Sequence, residues 1–224
     1  MLVRSIALHF LAGVPLREGS SEVARDLYQE ALGLARSAGR SFTATPLLFL
    51  LGRIAVLRGD HQSARQLMDE GMQTAQETGN PWMLAVGWSA FAFVSRAENR
   101  PARAQSYARQ SILQLREIGD RWVLCLTLAT MAAAFADEGR SEEALRIAGA
   151  AEAEADRSGS SLPLSLMQVT GAINRAKASL GQDAAESAYA AGRLMAIEDA
   201  IDYALEASRP NPEPTTPRTA KTQA

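Results

Sequence analysis

The 224-residue chain has one cysteine, two lysines and only 6% aromatic residues, and each scarcity closes off a class of function. With Cys125 alone, no disulfide forms within the chain, and a reducing, cytoplasmic setting is expected. Leu124 and Leu126 beside it mark a buried small hydrophobe and not a nucleophile. Lys177 and Lys221 leave the basic side to 21 arginines, against 25 acidic residues. A net charge of −2 lacks the basic face of a nucleic-acid surface, so no direct nucleic-acid binding is expected. Long apolar runs are missing too. The longest, Trp122 to Ala136, has fifteen residues including two threonines, short of the roughly 18–20 that span a bilayer. His9 and His61 are the only imidazoles, and neither stands with cysteines or carboxylates at metal-ligand spacing. Glu152, Glu154 and Asp156 alternate along one helix and read as a solvated face. No motif unites Ser, His and Asp, and no Gly-x-x-x-x-Gly-Lys-Ser/Thr loop occurs. Neither catalysis, a metal nor a cofactor is expected.

What the chain has is alanine and a period. Apolar residues make up 47%, much of it alanine, which suits closely packed helices. Gly39, Gly79, Gly119 and Gly159 stand forty residues apart, and Gly19, Gly59, Asn99 and Gly139 run in parallel. Shifted by forty, the chain superposes column on column. Leu8, Leu48, Trp88 and Leu128 are followed by Leu11, Leu51, Phe91 and Met131. Beside these lie the small residues Ala12, Gly52, Ala92 and Ala132. Five residues past the first turn come Ala24, Ala64, Ala104 and Ala144, then Ala31, Gly71, Ser111 and Ala151. Met1 to Leu11 loosely resembles a secretion signal, but the repeat register accounts for it better. Apolar spacings of three and four place one amphipathic helix before each Gly19-type turn and another after it. Asn80-Pro81 reads as a cap with proline at the first helical position, Thr45-Pro46 as a second such pair, and Pro101 as a helix start.

This succession resembles the tetratricopeptide repeat: large apolar, Leu, Gly/Ala, Gly turn, Ala and a second small residue. The aromatic position four after the alanine weakens along the chain (Tyr28, Met68, Ala108, Ala148), and the closing proline is absent. A lengthened second helix then accounts for forty residues per unit. The resemblance implies an all-α superhelical array of antiparallel helix pairs at 1–40, 41–80, 81–120 and 121–160. Pro15 falls inside the first helix, where an interior proline costs about 3 kcal/mol. That first unit starts mid-pattern on an apolar helix, as though units preceded it, which makes self-association through this open end a further expectation. After Ser161 the period lapses. Capping helices are expected over 161–207: Leu162-Pro163 to about Leu180, Gly181-Gln182 through Gly192, and Met195 to Ala207, with Ile197, Ala200, Ile201, Ala204 and Leu205 on one stripe. Residues 208–224, rich in proline and threonine, read as a disordered tail or linker.

The phrases Glu117–Trp122, Arg146–Glu152 and Ala190–Glu206 look like the C-terminal region of large LuxR-type or MalT-like ATP-binding bacterial regulators. The match covers roughly 60–207 and leaves out both the ATPase and the helix-turn-helix domain. It implies a sensor or interaction module that binds a protein, peptide or small effector; the other reading is a standalone adaptor unrelated to transcription. In stacked pairs of the repeat family, first helices face the groove. Carried over, its residues are His9, Phe49, Ser89 and Ala129, then Gly13, Arg53, Phe93 and Ala133, and finally Leu16, Val56, Arg96 and Ala136. Arg53 and Arg96 there would pair with a carboxylate in a fork. The alternative has Phe49 and Phe93 in the core and both arginines simply solvated.

Overall fold

The computed structural model describes residues 2–159, 162 and 168–209, and every regular element among them is an α-helix. There are eleven: α1 (Leu2–Arg17), α2 (Ser21–Ser37), α3 (Ser41–Leu57), α4 (His61–Thr78), α5 (Pro81–Ala97), α6 (Pro101–Ile118), α7 (Arg121–Asp137), α8 (Ser141–Arg157), α9 (Val169–Leu180), α10 (Gln182–Leu194) and α11 (Ile197–Ala207). Consecutive helices pack as neighbours, α1 on α2 through α7 on α8, and each second helix also meets the next first helix. First helices touch one another as well, α3 with α5 and α5 with α7. At the far end α9 leans on α7 and α8, while α10 and α11 cover α8. Buried side chains form two clusters, one within α1 to α3 and a larger one running from Phe49 to Leu205.

Close approach explains the small residues. Ala12, Ala92 and Ala132, the four alanines Ala24, Ala64, Ala104 and Ala144, and Ala31, Ser111 and Ala151 have no exposed surface. A Cβ on Gly52 would stand 2.7 Å from the Met68 methyl, and one on Gly71 would stand 2.6 Å from the Phe49 ring. Ser111 is small and also bonded: its hydroxyl donates to the Ala85 carbonyl at 2.8 Å, across the helix pair. Ser5 does the same to Ala31 at 2.8 Å. These bonds satisfy buried hydroxyls that would otherwise each cost about 1–3 kcal/mol.

The turns use the left-handed conformation. Gly19, Gly59 and Gly139 have φ of +83°, +77° and +78°, and Asn99, one of few side chains that tolerates this region, has +57°. Gly39, Gly79, Gly119 and Gly159 lie between +62° and +80°. At the Asn99 turn the Arg100 amide reaches back to the Ser95 carbonyl at 2.9 Å and the Asn99 amide to Arg96 at 2.9 Å, satisfying carbonyls that the helix end leaves open. Helix starts agree with the sequence at two places. Asn80 accepts from the Met83 amide at 3.0 Å with Pro81 opening α5, and Pro101 opens α6.

Elsewhere the boundaries differ. Thr45-Pro46 does not begin a helix: α3 starts at Ser41, and buried Thr45 donates back to the Ser41 carbonyl at 2.9 Å, which leaves Pro46 inside. Arg40 precedes α3 without a side-chain cap, so no capping residue marked the true start. Pro15 likewise lies within α1, which runs on to Arg17. Leu162 is not helical and α9 begins at Val169; positions 163–167 and 210–224, with most of the expected tail, lie outside the described residues. Helix α10 continues past Gly192 to Leu194. Met195 and Ala196 are extended, with ψ of 140° and 149°, so α11 begins at Ile197 and not at Met195. All five residues of its expected stripe are buried.

Helices α8 and α10 cross at their glycines. A Cβ on Gly149 would meet the Tyr189 carbonyl oxygen at 2.3 Å, and one on Gly192 would meet that of Arg146 at 2.0 Å. The crossing is flanked by polar contacts. Tyr189 donates its hydroxyl to Glu152, and Arg193 pairs with Asp156 at 2.8 Å. Glu154, its side chain 15% exposed, pairs with Arg157 at 2.9 Å. Of the three carboxylates expected on a solvated face, Asp156 is exposed while Glu152 and Glu154 are half-buried, and all three hold neighbours.

Candidate functional site

The inner side of the first helices is where a groove is expected, and five of its twelve expected residues are buried: Phe49, Val56, Phe93, Ala129 and Ala133. Phe49 (2% exposed), Val56 (4%) and Phe93 (2%) present no open surface to a ligand. Phe49 is buried because glycine leaves it room: Gly71 and Gly87 stand where a side chain would strike its ring, at 2.6 and 2.9 Å. Ser89 is half-buried and accepts from the Thr127 hydroxyl at 2.8 Å. His9 is half-buried, edge-on to Tyr28 with ring centres 5.9 Å apart, and burial pushes its pKa down. At pH 7 it is neutral and adds no charge. Of the rest of that strip, Ala129 and Ala133 are buried, and Gly13, Leu16 and Ala136 are half-buried.

The two arginines remain, in unlike environments. Arg53 is half-buried on α3, its guanidinium 4.9 Å from the centre of the Phe93 ring on α5. No carboxylate pairs with it among the described residues. Burial lowers its pKa below the ordinary arginine value, with Tyr28 opposing. Arginine stays charged under such a shift, so α3 carries a partly desolvated cation with no carboxylate partner among the described residues. One turn beyond Phe93 on the same helix, Arg96 (9% exposed) donates Nε to Asp137 Oδ2 at 2.8 Å. The other Asp137 oxygen takes Arg175 of α9 at 2.7 Å. Thus one carboxylate serves two guanidiniums. A polar recess of about 390 Å³ opens between Arg96, Asn99, Asp137, Gln168 and Arg175, and Arg53 is not part of its lining.

Other arginine clusters are neutralised from within. A cleft of about 610 Å³ between α2 and α4 is bordered by Arg25, Arg36 and Arg58 over Leu32, Leu51 and Ile54. Each of those cations has its own acid: Arg25 binds Glu22 and Asp26, Arg36 binds Glu70, and Arg58 binds Glu22. Surface pairs of this kind contribute about 0–1 kcal/mol and leave little field for a ligand. Cys125 is buried, and burial pushes its thiol up to about 12, which leaves no thiolate for nucleophilic chemistry at pH 7.

One column escaped the sequence reading. Phe42, Trp82 and Trp122 share a register position at the starts of α3, α5 and α7. Phe42 (61% exposed) stacks on Trp82 at 5.7 Å, and the Trp82 indole donates to Asp120 at 2.6 Å. Their spacing of forty was the available signal.

No family model matches the chain, and a comparison with curated proteins finds no match. None of the helices among the described residues is long and apolar enough to cross a membrane.

Proposed function

We propose that this chain is a non-enzymatic interaction or sensor module that holds an acidic protein segment, peptide or small effector on the face shared by its first helices. The observation that carries the reading is Arg53, a half-buried guanidinium with no carboxylate partner among the described residues. A ligand carboxylate laid against it would restore the pairing that burial denies. Hydrogen bonds to a charged group contribute about 1.5–3 kcal/mol, so removing Arg53 should weaken binding roughly 10–100-fold. Arg175, which shares Asp137 with Arg96, borders a separate polar recess that would accept a second anionic group. The helix starts support a tetratricopeptide-type array with a concave inner face. Ser21, His61, Pro101 and Ser141 open the second helices, and Ser41, Pro81 and Arg121 the first. Within that reading, the resemblance of residues 60–207 to LuxR-type and MalT-like regulators makes the chain the sensory or interaction section of a bacterial signalling or transcriptional regulator.

The test is an array of acidic and neutral peptides, probed with the purified chain and with Arg53→Ala/Arg96→Ala. The reading expects a subset of acidic peptides bound by the wild type and lost by the double variant. Equal binding by both proteins would refute it.

A further inference from the structure

We infer that the exposed face of α1 is a homodimer interface, at which α1 packs against α1 of a second copy. Val3, Ile6, Phe10, Leu11 and Val14 are 42 to 82% exposed and fall on one stripe of the helix, opposite the side that Ser5 and Ala12 bury against α2. Their exposed surface is on the order of 500 Å² per copy, toward the upper end of the roughly 300–600 Å² that the largest, often functional patch on a monomer covers. No charged residue interrupts the stripe. Arg4 stands at its edge and is held by Glu30 of its own chain.

The register shows what such a face is shaped for. Leu11 and Val14 occupy the columns of Leu51 and Ile54 in α3, Phe91 and Val94 in α5, and Met131 and Ala134 in α7. Those six are at most 8% exposed, while Leu11 is 58% and Val14 46% exposed. At each inner junction the preceding second helix packs against the first helix that carries this column. The α1 stripe therefore matches a helix-receiving surface that no helix among the described residues covers.

A second copy can supply that helix in one closed way. Head-to-tail stacking would need an open second-helix face at the other end of the array, but α8 there is enclosed by α9, α10 and α11. Its buried residues run almost continuously from Ala144 to Ala155, where α2 buries five. Two α1 stripes meeting about a two-fold axis close the assembly at two copies, the commonest symmetry of soluble oligomers.

Sedimentation equilibrium of the full chain at 1–100 μM tests this, beside Phe10→Glu/Val14→Glu, the milder Val3→Glu, and Leu194→Glu as a control. Leu194, on α10, is 87% exposed and outside the stripe. Circular dichroism checks that each variant keeps its helices. The inference expects a dimer for the wild type and for Leu194→Glu. It expects at least a tenfold weaker dimer for Val3→Glu, and a monomer for the double variant. A monomeric wild type at 100 μM would overturn it and leave the stripe to a different chain or to a further segment of a longer one. A dimer that survives both stripe variants, or one broken by Leu194→Glu, would place the interface elsewhere and overturn it equally.

Discussion

Replacing Gly192 with alanine sets two physical effects against each other. Helix propensity favours the change, because alanine gains about 1 kcal/mol over glycine in a helix interior. Sterics oppose it. The new Cβ would lie 2.0 Å from the Arg146 carbonyl oxygen, 2.8 Å from its carbon and 2.9 Å from its Cα, where ordinary contact begins at 3.4 Å. All three atoms are backbone, so no side chain can swing away. The helices α8 and α10 must part by about 1 Å or more, loosening the Tyr189–Glu152 and Arg193–Asp156 contacts beside the crossing. Overpacking of this kind costs about 1–3 kcal/mol, and a backbone-on-backbone clash belongs at the upper end. Subtracting the propensity gain leaves a net loss of about 2 kcal/mol. For a chain this long that lowers Tm by roughly 4–8 °C. Gly33→Ala is the matched control: Gly33 lies inside α2 with nothing within 4 Å of the added carbon. It should raise Tm by about 1–4 °C, through propensity alone. Thermal and urea melts followed at 222 nm decide the matter. A Gly192→Ala protein as stable as the wild type would refute the close crossing.

Asp120 caps α7 by accepting from the Val123 amide at 3.0 Å and also takes the Trp82 indole at 2.6 Å. Asp120→Ala should cost about 1.5–3 kcal/mol in the same melts, and Trp82→Phe, which deletes the indole bond and part of the ring stacked on Phe42, at least about 0.5–1.5 kcal/mol. Ala104→Leu, at a position with no exposed surface, should cost about 1–3 kcal/mol by overpacking. Asp60 caps α4 at 3.0 Å, and hydrogen bonds from Ser63 push its pKa below the ordinary 3.8. A depressed carboxylate stabilises the fold above its unfolded pKa and loses that contribution as pH falls through the folded value. The Tm difference between wild type and Asp60→Asn should therefore be full at pH 6 and shrink below pH 4. A difference constant down to pH 2 would exclude the Asp60 charge as its source.

The helix pairs were legible because their signals are local and periodic. Ala104 or Ser111 declares a close crossing by its size, and Gly59 or Asn99 declares a turn by its backbone freedom. Boundaries without a local signal were not legible. Pro46 reads as a helix start, yet α3 begins five residues earlier, behind an uncapped Arg40. Partners distant in sequence were hidden as well. Glu152 looks solvated until α10 brings Tyr189 over it. The expected groove failed in part for the same reason. Whether Phe49 lines a groove or fills a core depends on Gly71 and Gly87, in two other helices. That Arg53 has no carboxylate partner among the described residues is a fact of three dimensions, which no spacing in the chain announces.

A double-mutant cycle tests the proposed function at its centre. An acidic peptide that binds the chain and its carboxamide counterpart are each titrated against wild type and Arg53→Ala by fluorescence anisotropy. If Arg53 pairs with the ligand carboxylate, the carboxamide should bind the wild type at least about tenfold more weakly, while Arg53→Ala scarcely distinguishes the two peptides. Equal discrimination by both proteins would mean that the carboxylate rests elsewhere, and that Arg53 is not the ligand's partner.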